Sequence, residues 1–329
     1  MENVNIGIIG TGHLGKLHTK LSKEVENCNL IGIHDLDKSK LESVAEEFSV
    51  KPFGDYETLL EAVDAVSIVS TTSAHYELAK TALLKGKHVF VEKPITATIE
   101  EAEEIVEIAE ENNLKLQVGH IERFNPALLS LEKYNLDPKF IQTDRLAQFN
   151  PRGTDVAVVL DLMIHDIDII LSLIKSKVKH ISASGVAVVS DKLDIANARL
   201  EFENGAVANV TASRISQKKM RKMRMFQRDA YLSLDFTTGV SEVFRLLSPE
   251  AVNGAGIINF GEIGVGDKKK MIVYEQPEMM EVNALKYELQ LFVNAVQNDE
   301  TPKVTGKDGL RALRVAEMII EKIEETKII

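Results

Sequence analysis

The feature that most constrains the fold is a glycine-rich turn near the start of the chain. Gly10, Gly12 and Gly15 have the spacing Gly-x-Gly-x-x-Gly, and they lie between an apolar run and a segment with helical periodicity. Such a turn lets backbone amides at a helix N-terminus approach a pyrophosphate without interference from Cβ atoms. The candidate dinucleotide-binding segment is Gly10-Thr11-Gly12-His13-Leu14-Gly15.

An acidic residue follows this turn at the distance expected for ribose recognition. Asp35 lies 20 residues after Gly15, at the end of the second predicted strand. A carboxylate there accepts hydrogen bonds from the adenosine ribose hydroxyls, and it repels a 2′-phosphate. We therefore expect NAD in preference to NADP, although Lys38 or Lys40 could offset the repulsion. The alternative interpretation is that the glycines serve only a tight turn.

Short apolar runs alternate with helical segments through the first 120 residues. This alternation is typical of a parallel sheet with helices on both faces. The predicted strands are residues 4–9, 30–33, 65–69, 88–91 and 116–118, and the predicted helices are residues 13–22, 38–48, 56–61, 74–85 and 99–112. The pattern predicts an α/β, doubly wound Rossmann domain over residues 1–121 that binds NAD.

The later part of the chain contains long segments that alternate apolar and polar residues. Such alternation predicts antiparallel strands, here residues 140–149, 180–189, 196–202, 206–213, 223–234 and 242–247, with a hairpin turn at Glu203-Asn204-Gly205. Helices are predicted at residues 125–134, 157–174, 283–297 and 308–325, and residues 249–270 show little pattern. We expect residues 122–329 to form an α+β domain with a large open, mostly antiparallel sheet for substrate binding and oligomerisation.

Charge and cysteine content narrow the classes of partner and compartment. Lys and Arg total 39 against 50 Asp and Glu, a formal net charge of -11, which disfavours nucleic acid and anionic lipid as partners. The single cysteine, Cys28, cannot form an internal disulfide or a cysteine-built zinc site. The first residues lack a basic region followed by a pure apolar stretch, so no export signal is predicted. We expect a cytoplasmic protein.

Two further segments follow predicted strands at the sheet edge where ligands of open α/β folds bind. Glu92-Lys93-Pro94 follows residues 88–91, and Pro94 biases Lys93 away from helical geometry. Glu92 and Lys93 are candidate cofactor contacts, although a solvated loop lysine is the alternative. Thr71 and His75 follow residues 65–69 and are also candidates for lining the cofactor cleft.

A candidate proton-transfer group lies on the helix predicted at residues 157–174. Asp161, His165 and Asp168 share one helical face by their spacing, whereas Asp166 is expected at the surface. A carboxylate one turn from a histidine fixes its tautomer and raises its basicity, which suits proton removal from an alcohol. A core histidine satisfied by Asp161 is the alternative. A metal site is not predicted, because these residues offer one nitrogen ligand and no cysteine.

Four motifs together resemble the Gfo/Idh/MocA oxidoreductases over nearly the whole chain. They are the glycine-rich turn, Glu92-Lys93-Pro94, Asp161-x-x-x-His165 and Val304-Thr305-Gly306-Lys307-Asp308-Gly309. The resemblance implies a nicotinamide cofactor on the first domain and a substrate against the open sheet of the second. It also implies that Lys93 and His165 are the catalytic pair, with Asp161 orienting His165, Lys93 polarising the substrate oxygen and His165 acting as base.

A narrower resemblance lies at the predicted domain junction. Val118-Gly119-His120-Ile121-Glu122-Arg123-Phe124-Asn125-Pro126 resembles the corresponding segment of the UDP-N-acetylglucosamine 3-dehydrogenase branch of that family. Arg123 and Asn125 could hydrogen-bond a sugar or a phosphate, and His120 is expected to approach the nicotinamide side. Together with Lys93, Asp161 and His165, these three are the candidate substrate-binding residues. A structural pairing of Arg123 is the alternative.

These motifs predict an NAD-dependent dehydrogenase that acts on a secondary alcohol of a sugar, with the 3-hydroxyl of a UDP-N-acetylhexosamine as the first candidate. A dehydrogenase of free polyols, inositol or other sugars is one alternative, and a non-catalytic NAD-sensing regulator or scaffold is another. The basic run at residues 218–228 could attract a diphosphate, but we interpret it as the solvated face of an edge strand. The open sheet face predicts a homo-oligomer, a dimer or tetramer.

Overall fold

The computed structural model describes residues 3–150, 156–248 and 258–326. The chain divides into two compact units, Met1–Phe124 with Val282–Arg314 and Asn125–Glu281 with Val315–Ile329. The predicted division at residue 121 differs from this grouping, because residues 282–314 lie with the first unit. The apolar face of the helix Ala284–Gln297 packs into the first unit's core through Leu285, Leu289, Phe292 and Val293.

The first unit is built on a parallel sheet, which has five strands among the described residues. Its order is β2-β1-β3-β4-β5. The strands are β1 (Val4–Ile9), β2 (Cys28–His34), β3 (Ala65–Ile68), β4 (His88–Glu92) and β5 (Leu116–Gly119). The chain runs outward in opposite directions from β1 and β3, so a crevice for ligands is expected at the carboxyl ends of these strands.

Five helices of the first unit follow the sequence pattern closely. They are α1 (His13–Ser22), α2 (Lys38–Phe48), α3 (Tyr56–Glu61), α4 (Thr72–Leu84) and α5 (Ile99–Glu111). Helix α5 begins with a capping box, in which the Thr98 hydroxyl accepts from the Glu101 amide and the Glu101 carboxylate accepts from the Thr98 amide. After α4, Gly86 adopts a φ of 74°, which terminates the helix as the sequence predicts.

The second unit contains a larger sheet, with nine strands among the described residues in the order β13-β14-β12-β11-β10-β6-β9-β8-β7. The strands are β6 (Phe140–Leu146), β7 (Val178–Val186), β8 (Ile195–Phe202), β9 (Val207–Ser213), β10 (Met220–Phe226), β11 (Ala230–Asp235), β12 (Val240–Leu247), β13 (Ile258–Ile263) and β14 (Lys270–Glu275). Only β6 and β9 pair in parallel within this described sheet. The predicted fold class is therefore confirmed.

The remaining α-helices among the described residues are α6 (Pro126–Leu129), α7 (Ile164–Leu173), α8 (Ala284–Gln297) and α9 (Gly306–Thr326). The helix predicted at residues 125–134 is shorter than expected, because only α6 is helical and turns follow it. The helix predicted at residues 157–174 begins with a π-helical turn, Val159–Met163, before α7. Among the described helices, none has both the length and the apolar character needed to cross a bilayer.

Two predictions about strands are wrong in detail, and one segment for which no strand was predicted contains one. Residues 223–234 form two strands, because the chain turns after β10 with the Gln227 amide donating to the Ala230 carbonyl. Within residues 249–270, residues 249–257 lie outside the described part, and 258–263 form β13. Strand β10 is not an edge strand, since it lies between β6 and β11, and its Lys222 is 3.5 Å from Asp235. Periodicity does not reveal which strands lie at the edge.

Candidate active site

The glycine-rich turn is shaped by two close backbone approaches. Gly10 has a φ of 97°, and a Cβ added there would lie 2.5 Å from the Val69 carbonyl oxygen. A Cβ on Gly15 would lie 2.0 Å from the Gly10 carbonyl oxygen. Both distances are shorter than any real contact, so these positions require glycine if β1, β3 and α1 are to meet as they do.

Gly12 differs, because no atom lies within 4 Å of a Cβ added there. Gly12 is the N-cap of α1, which has no side-chain cap, and His13 and Leu14 beside it are exposed. The turn therefore leaves open space at a ten-residue helix's N-terminus, where unpaired amides and the helix dipole favour an anion. This geometry fits the pyrophosphate of a dinucleotide.

Asp35 is joined directly to the glycine-rich turn. Its Oδ2 accepts from the Thr11 amide at 2.6 Å and the Thr11 hydroxyl at 2.8 Å, and its Oδ1 accepts from the Asp37 amide at 2.8 Å. Burial acts to raise the pKa of Asp35, but these hydrogen bonds and the Lys40 charge outweigh it and lower the pKa. Lys40 itself is paired with Asp37 at 3.0 Å. A charged carboxylate therefore stands where a ribose diol is expected.

Thr71 and His75 lie at the same edge of the parallel sheet. Thr71 is the exposed N-cap of α4, whereas His75 is buried within the helix. The ring nitrogens of His75 lie 2.9 Å from the Pro94 carbonyl and 3.2 Å from the Ser70 carbonyl. Burial lowers the pKa of His75, which favours the neutral ring. His75 thus links the segment after β3 to the turn that contains Lys93.

Glu92 is buried at the end of β4, and its carboxylate is held by groups that the sequence reasoning missed. Its Oε1 lies 3.1 Å from His18 Nε2, and its Oε2 accepts from the Lys93 amide at 3.3 Å. Burial acts to raise the pKa of Glu92, but the hydrogen bond and charge of His18, followed by the Lys93 charge, lower it. The sequence feature that could have identified His18 is its position on the core-facing side of α1. Lys93 itself is half-buried.

The predicted catalytic helix has a different geometry from the one its spacing suggests. Asp161 lies in the π-helical turn and His165 in the first turn of α7, and both are half-buried. Asp168 is buried and does not share their access to the surface. Such π-helical turns are frequent at functional sites.

The expectation that Asp166 lies at the surface is wrong. Asp166 is buried and forms a bidentate pair with Arg145 of β6, at 2.8 Å from Nη2 to Oδ1 and 3.1 Å from Nε to Oδ2. Two buried charges with this fork geometry compensate each other's lost hydration. The sequence offered no sign of the pair because its members lie on different elements.

The candidate residues of the junction segment are already engaged. His120 is buried, and the Arg123 guanidinium lies 3.7 Å from Asp308. The Asn125 side chain accepts from the Ala127 amide at 3.1 Å, as the N-cap of α6, and donates to the Phe236 carbonyl at 3.0 Å. The Arg123–Asp308 pair joins the junction segment to the closing motif at residues 304–309 within the first unit.

The predicted site residues are thus brought together only in part. The glycine-rich turn, Asp35, Thr71, His75, Glu92 and Lys93 all lie at the carboxyl ends of β1 to β4 in the first unit. Asp161 and His165 belong to the second unit, so the meeting of Lys93 with His165 stays a prediction. Within the described residues, no group of three or more His, Cys, Asp and Glu side chains could hold a metal ion.

This chain is similar to known oxidoreductases in both of its units. A GFO/IDH/MocA family model, described as an oxidoreductase family with an NAD-binding Rossmann fold, matches residues 4–120, and the GFO/IDH/MocA C-terminal domain model matches residues 136–233. UDP-N-acetylglucosamine 3-dehydrogenase of Acidithiobacillus ferrooxidans is 36% identical over 98% of each chain. Its solved structure superposes with a TM-score of 0.87, at 33% identity over 99% of each chain. Myo-inositol 2-dehydrogenase of Thermotoga maritima is 25% identical over 98% of this chain and 97% of its own.

Proposed function

Because this chain belongs to the Gfo/Idh/MocA family of NAD-binding oxidoreductases, we propose that it oxidises the 3-hydroxyl of a UDP-N-acetylhexosamine, with UDP-N-acetylglucosamine as the first candidate. The observation that carries this proposal is the similarity to a UDP-N-acetylglucosamine 3-dehydrogenase over almost the full length of both chains. The open N-terminus of α1 and the charged Asp35 support NAD as the cofactor.

Bound NAD would be held by residues 10–15 and Asp35, and it supplies the acceptor for the hydride of the carbinol carbon. In the proposed mechanism His165 accepts the hydroxyl proton as the carbon is oxidised. Asp161 orients the imidazole, and Lys93 donates a hydrogen bond to the substrate oxygen as negative charge develops there. General acid–base help and charge stabilisation of this kind are both larger in the transition state than in the bound substrate.

The proposed substrate-binding residues are Lys93, His120, Arg123, Asn125, Asp161 and His165. Arg123 carries the cation best suited to a diphosphate, since a guanidinium offers paired N–H donors. Asp308 lies beside the Arg123 guanidinium and would limit its orientations. Arg123→Lys, which keeps the charge but loses the fork, should raise KM for the UDP-sugar more than KM for NAD.

The decisive experiment measures the reduced-cofactor absorbance band with NAD and a panel of substrates. The panel pairs UDP-N-acetylglucosamine and UDP-N-acetylgalactosamine with N-acetylglucosamine, glucose 6-phosphate and myo-inositol. We expect turnover with a UDP-N-acetylhexosamine and little with the free sugars. Turnover of myo-inositol alone would instead establish the polyol dehydrogenase alternative, and NAD binding without turnover of any substrate would favour the regulator.

We also propose that a second copy covers the open face of the larger sheet. Six aromatic rings form a continuous row across this face, with neighbouring ring centroids 4.8 to 5.9 Å apart: Phe140, Phe226, Tyr231, Phe244, Tyr274 and Phe260. Phe226 is 41% exposed and Phe260 60% exposed. A face of this kind favours self-association into a dimer or tetramer. A monomeric mass by light scattering at working concentrations would reject this proposal.

We also propose that the protein is cytoplasmic. Cys28 is the chain's one cysteine, and burial raises the pKa of its thiol to about 11. A chain with one cysteine cannot form an internal disulfide, which is typical of proteins in a reducing compartment. Fractionation of cells that express the full chain tests the location.

A further inference from the structure

A buried histidine joins three elements of the first unit at the edge where NAD is proposed to bind. His18, on α1, has no exposed surface. Its Nδ1 lies 2.9 Å from the Ser67 hydroxyl on β3, and its Nε2 lies 3.1 Å from Glu92 Oε1 on β4. The mechanism proposed above uses neither His18 nor Ser67.

The chemistry of Glu92 fixes the role of one ring nitrogen of His18, and Ser67 accommodates the other. An ionised carboxylate only accepts hydrogen bonds, so His18 Nε2 must donate to Glu92. The Ser67 hydroxyl can donate or accept, and it therefore satisfies His18 Nδ1 whether the imidazole is neutral or protonated. The pair of contacts thus holds an Nε2–H group toward Glu92 in either state of the ring.

Glu92 is confined on its other sides as well. Its second oxygen accepts from the Lys93 amide, and a Cβ added at Gly119 of β5 would lie 2.9 Å from that oxygen. Glycine at position 119 therefore leaves the space that the carboxylate fills. A buried carboxylate that loses a donor must either turn to another group or take up a proton. The position of this carboxylate, and of the Lys93 amide bound to it, depends on His18.

We propose that His18 is a positioning residue for Lys93. By holding the Glu92 carboxylate against the Lys93 amide, His18 fixes the backbone of the Glu92-Lys93-Pro94 turn and hence the direction in which the Lys93 ammonium leaves it. The role of Lys93 in turnover rests on the proposed function, whereas the hold of His18 on the turn does not.

Two substitutions at position 18 separate this role from a general packing role. In His18→Gln the side-chain amide reaches the place of Nε2 and can still donate to Glu92, whereas in His18→Asn it reaches only the place of Nδ1, near Ser67. We expect kcat to fall about 10- to 100-fold in His18→Asn, since small displacements of a catalytic group have effects of this size. We expect KM for NAD to stay within about 3-fold of the wild type and His18→Gln to recover most of kcat.

The matched control is His88→Gln, at the opposite end of β4. His88 Nδ1 accepts from the Lys115 amide at 2.9 Å, so this histidine is also hydrogen-bonded but lies away from the ligand edge. Its substitution should leave kcat unchanged. Equal kcat values for His18→Asn and His18→Gln would overturn the proposal, as would a loss in His18→Asn that appears only in KM for NAD.

A second measurement needs no sugar substrate. Hydrogen exchange at the Lys93 amide should be about 10-fold faster in His18→Asn than in the wild type, because this amide loses a fixed acceptor. Exchange in His18→Gln and His88→Gln should match the wild type. Unchanged exchange in His18→Asn overturns the inference even if the dehydrogenase proposal holds. Absence of sugar turnover in the wild type, with faster exchange in His18→Asn, rejects the proposed function alone. If His18→Asn does not fold, His18→Leu supplies the same comparison, because leucine keeps an apolar side chain in the buried space and removes the donor to Glu92. Exchange at the Lys93 amide should again be faster than in the wild type, and unchanged exchange would overturn the inference.

Discussion

The Asp35 carboxylate accepts a 2.6 Å hydrogen bond from the Thr11 backbone amide. The residue expected to bind the cofactor ribose therefore also sets the shape of the glycine-rich turn that is expected to bind the pyrophosphate. We therefore expect ribose recognition and pyrophosphate recognition to be coupled through this side chain. The Thr11 hydroxyl adds a second contact to the same oxygen.

Asp35→Asn should weaken NAD binding and reduce discrimination against NADP. Loss of the charge weakens hydrogen bonds to the ribose and to Thr11, and charged hydrogen bonds contribute about 1.5–3 kcal/mol, so KM for NAD should rise about 10-fold or more. The measurement is KM and kcat with both cofactors. Asp64→Asn is the control, because Asp64 also accepts from a backbone amide, that of Asn5, but it precedes β3 at the opposite end of the sheet, so both KM values should stay unchanged. An unchanged ratio of NAD to NADP efficiency in Asp35→Asn would contradict this role.

Gly15→Ala should lower the stability of the fold, whereas Gly12→Ala should weaken NADH binding without lowering stability. Alanine at position 15 would place Cβ 2.0 Å from the Gly10 carbonyl oxygen, so the strand and helix must move apart, at a cost of about 1–3 kcal/mol or more. Alanine at position 12 meets no atom within 4 Å and should leave the melting temperature nearly unchanged while it weakens NADH binding. Thermal unfolding and NADH fluorescence titration measure the two effects. Full NADH affinity in Gly12→Ala would refute the assignment of this turn to the pyrophosphate.

Lys93→Ala and His165→Ala should each abolish most turnover while NADH binding is retained. Removal of a general acid or base costs about 100-fold or more in kcat, and neither residue is part of the pyrophosphate turn. His180→Ala is a suitable control, because His180 is an exposed histidine of β7 in the same unit as His165. Steady-state kinetics and NADH titration provide the comparison. A variant at position 93 or 165 that binds NADH and keeps full turnover would show that its residue is not catalytic.

Asp194 should make the second unit sensitive to acid. Its buried carboxylate accepts from the amides of Val188, Val189 and Ser190. Burial acts to raise the pKa of Asp194, but these hydrogen bonds outweigh it and lower the pKa from 3.8 to about 2. A group whose pKa is lower in the folded state stabilises the fold above its unfolded pKa, and this contribution is lost as the pH falls from about 4 to about 2.

The measurement is the free energy of unfolding as a function of pH for the wild type and Asp194→Asn. The difference between them should be on the order of 2 kcal/mol near neutral pH and should shrink below pH 4 or so. Asp191→Asn, on the same connection but exposed, is the control and should follow the wild type. A wild-type advantage that stays constant down to pH 2 or so would mean that the Asp194 charge is not its source.

Two predictions from the sequence are wrong for the same reason: whether a residue is buried or exposed depends on a partner that lies far away in the chain. Asp166 was expected at the surface because it lies off the face shared by Asp161 and His165, yet Arg145 on β6 compensates its charge in the interior. The basic run was assigned to an edge strand because lysines are common there, yet β6 and β11 flank β10 on both sides. Neither partner could be inferred from periodicity, since pairing between distant segments leaves no local pattern.

The amino-acid sequence by itself determined those features that depend on neighbouring residues. The glycine spacing, the acid at position 35, the bounds of helices α1 to α5 and the alternation within strands all reflect backbone conformation or side-chain period, which act over a few residues. The tertiary structure alone decided that His18 and Ser67 hold Glu92, that Arg145 holds Asp166 and that residues 282–314 lie with the first unit. Those relationships depend on contacts between residues that are distant in the sequence. A buried polar or apolar group is stabilised by whichever groups surround it in the folded protein, and local sequence patterns do not specify them.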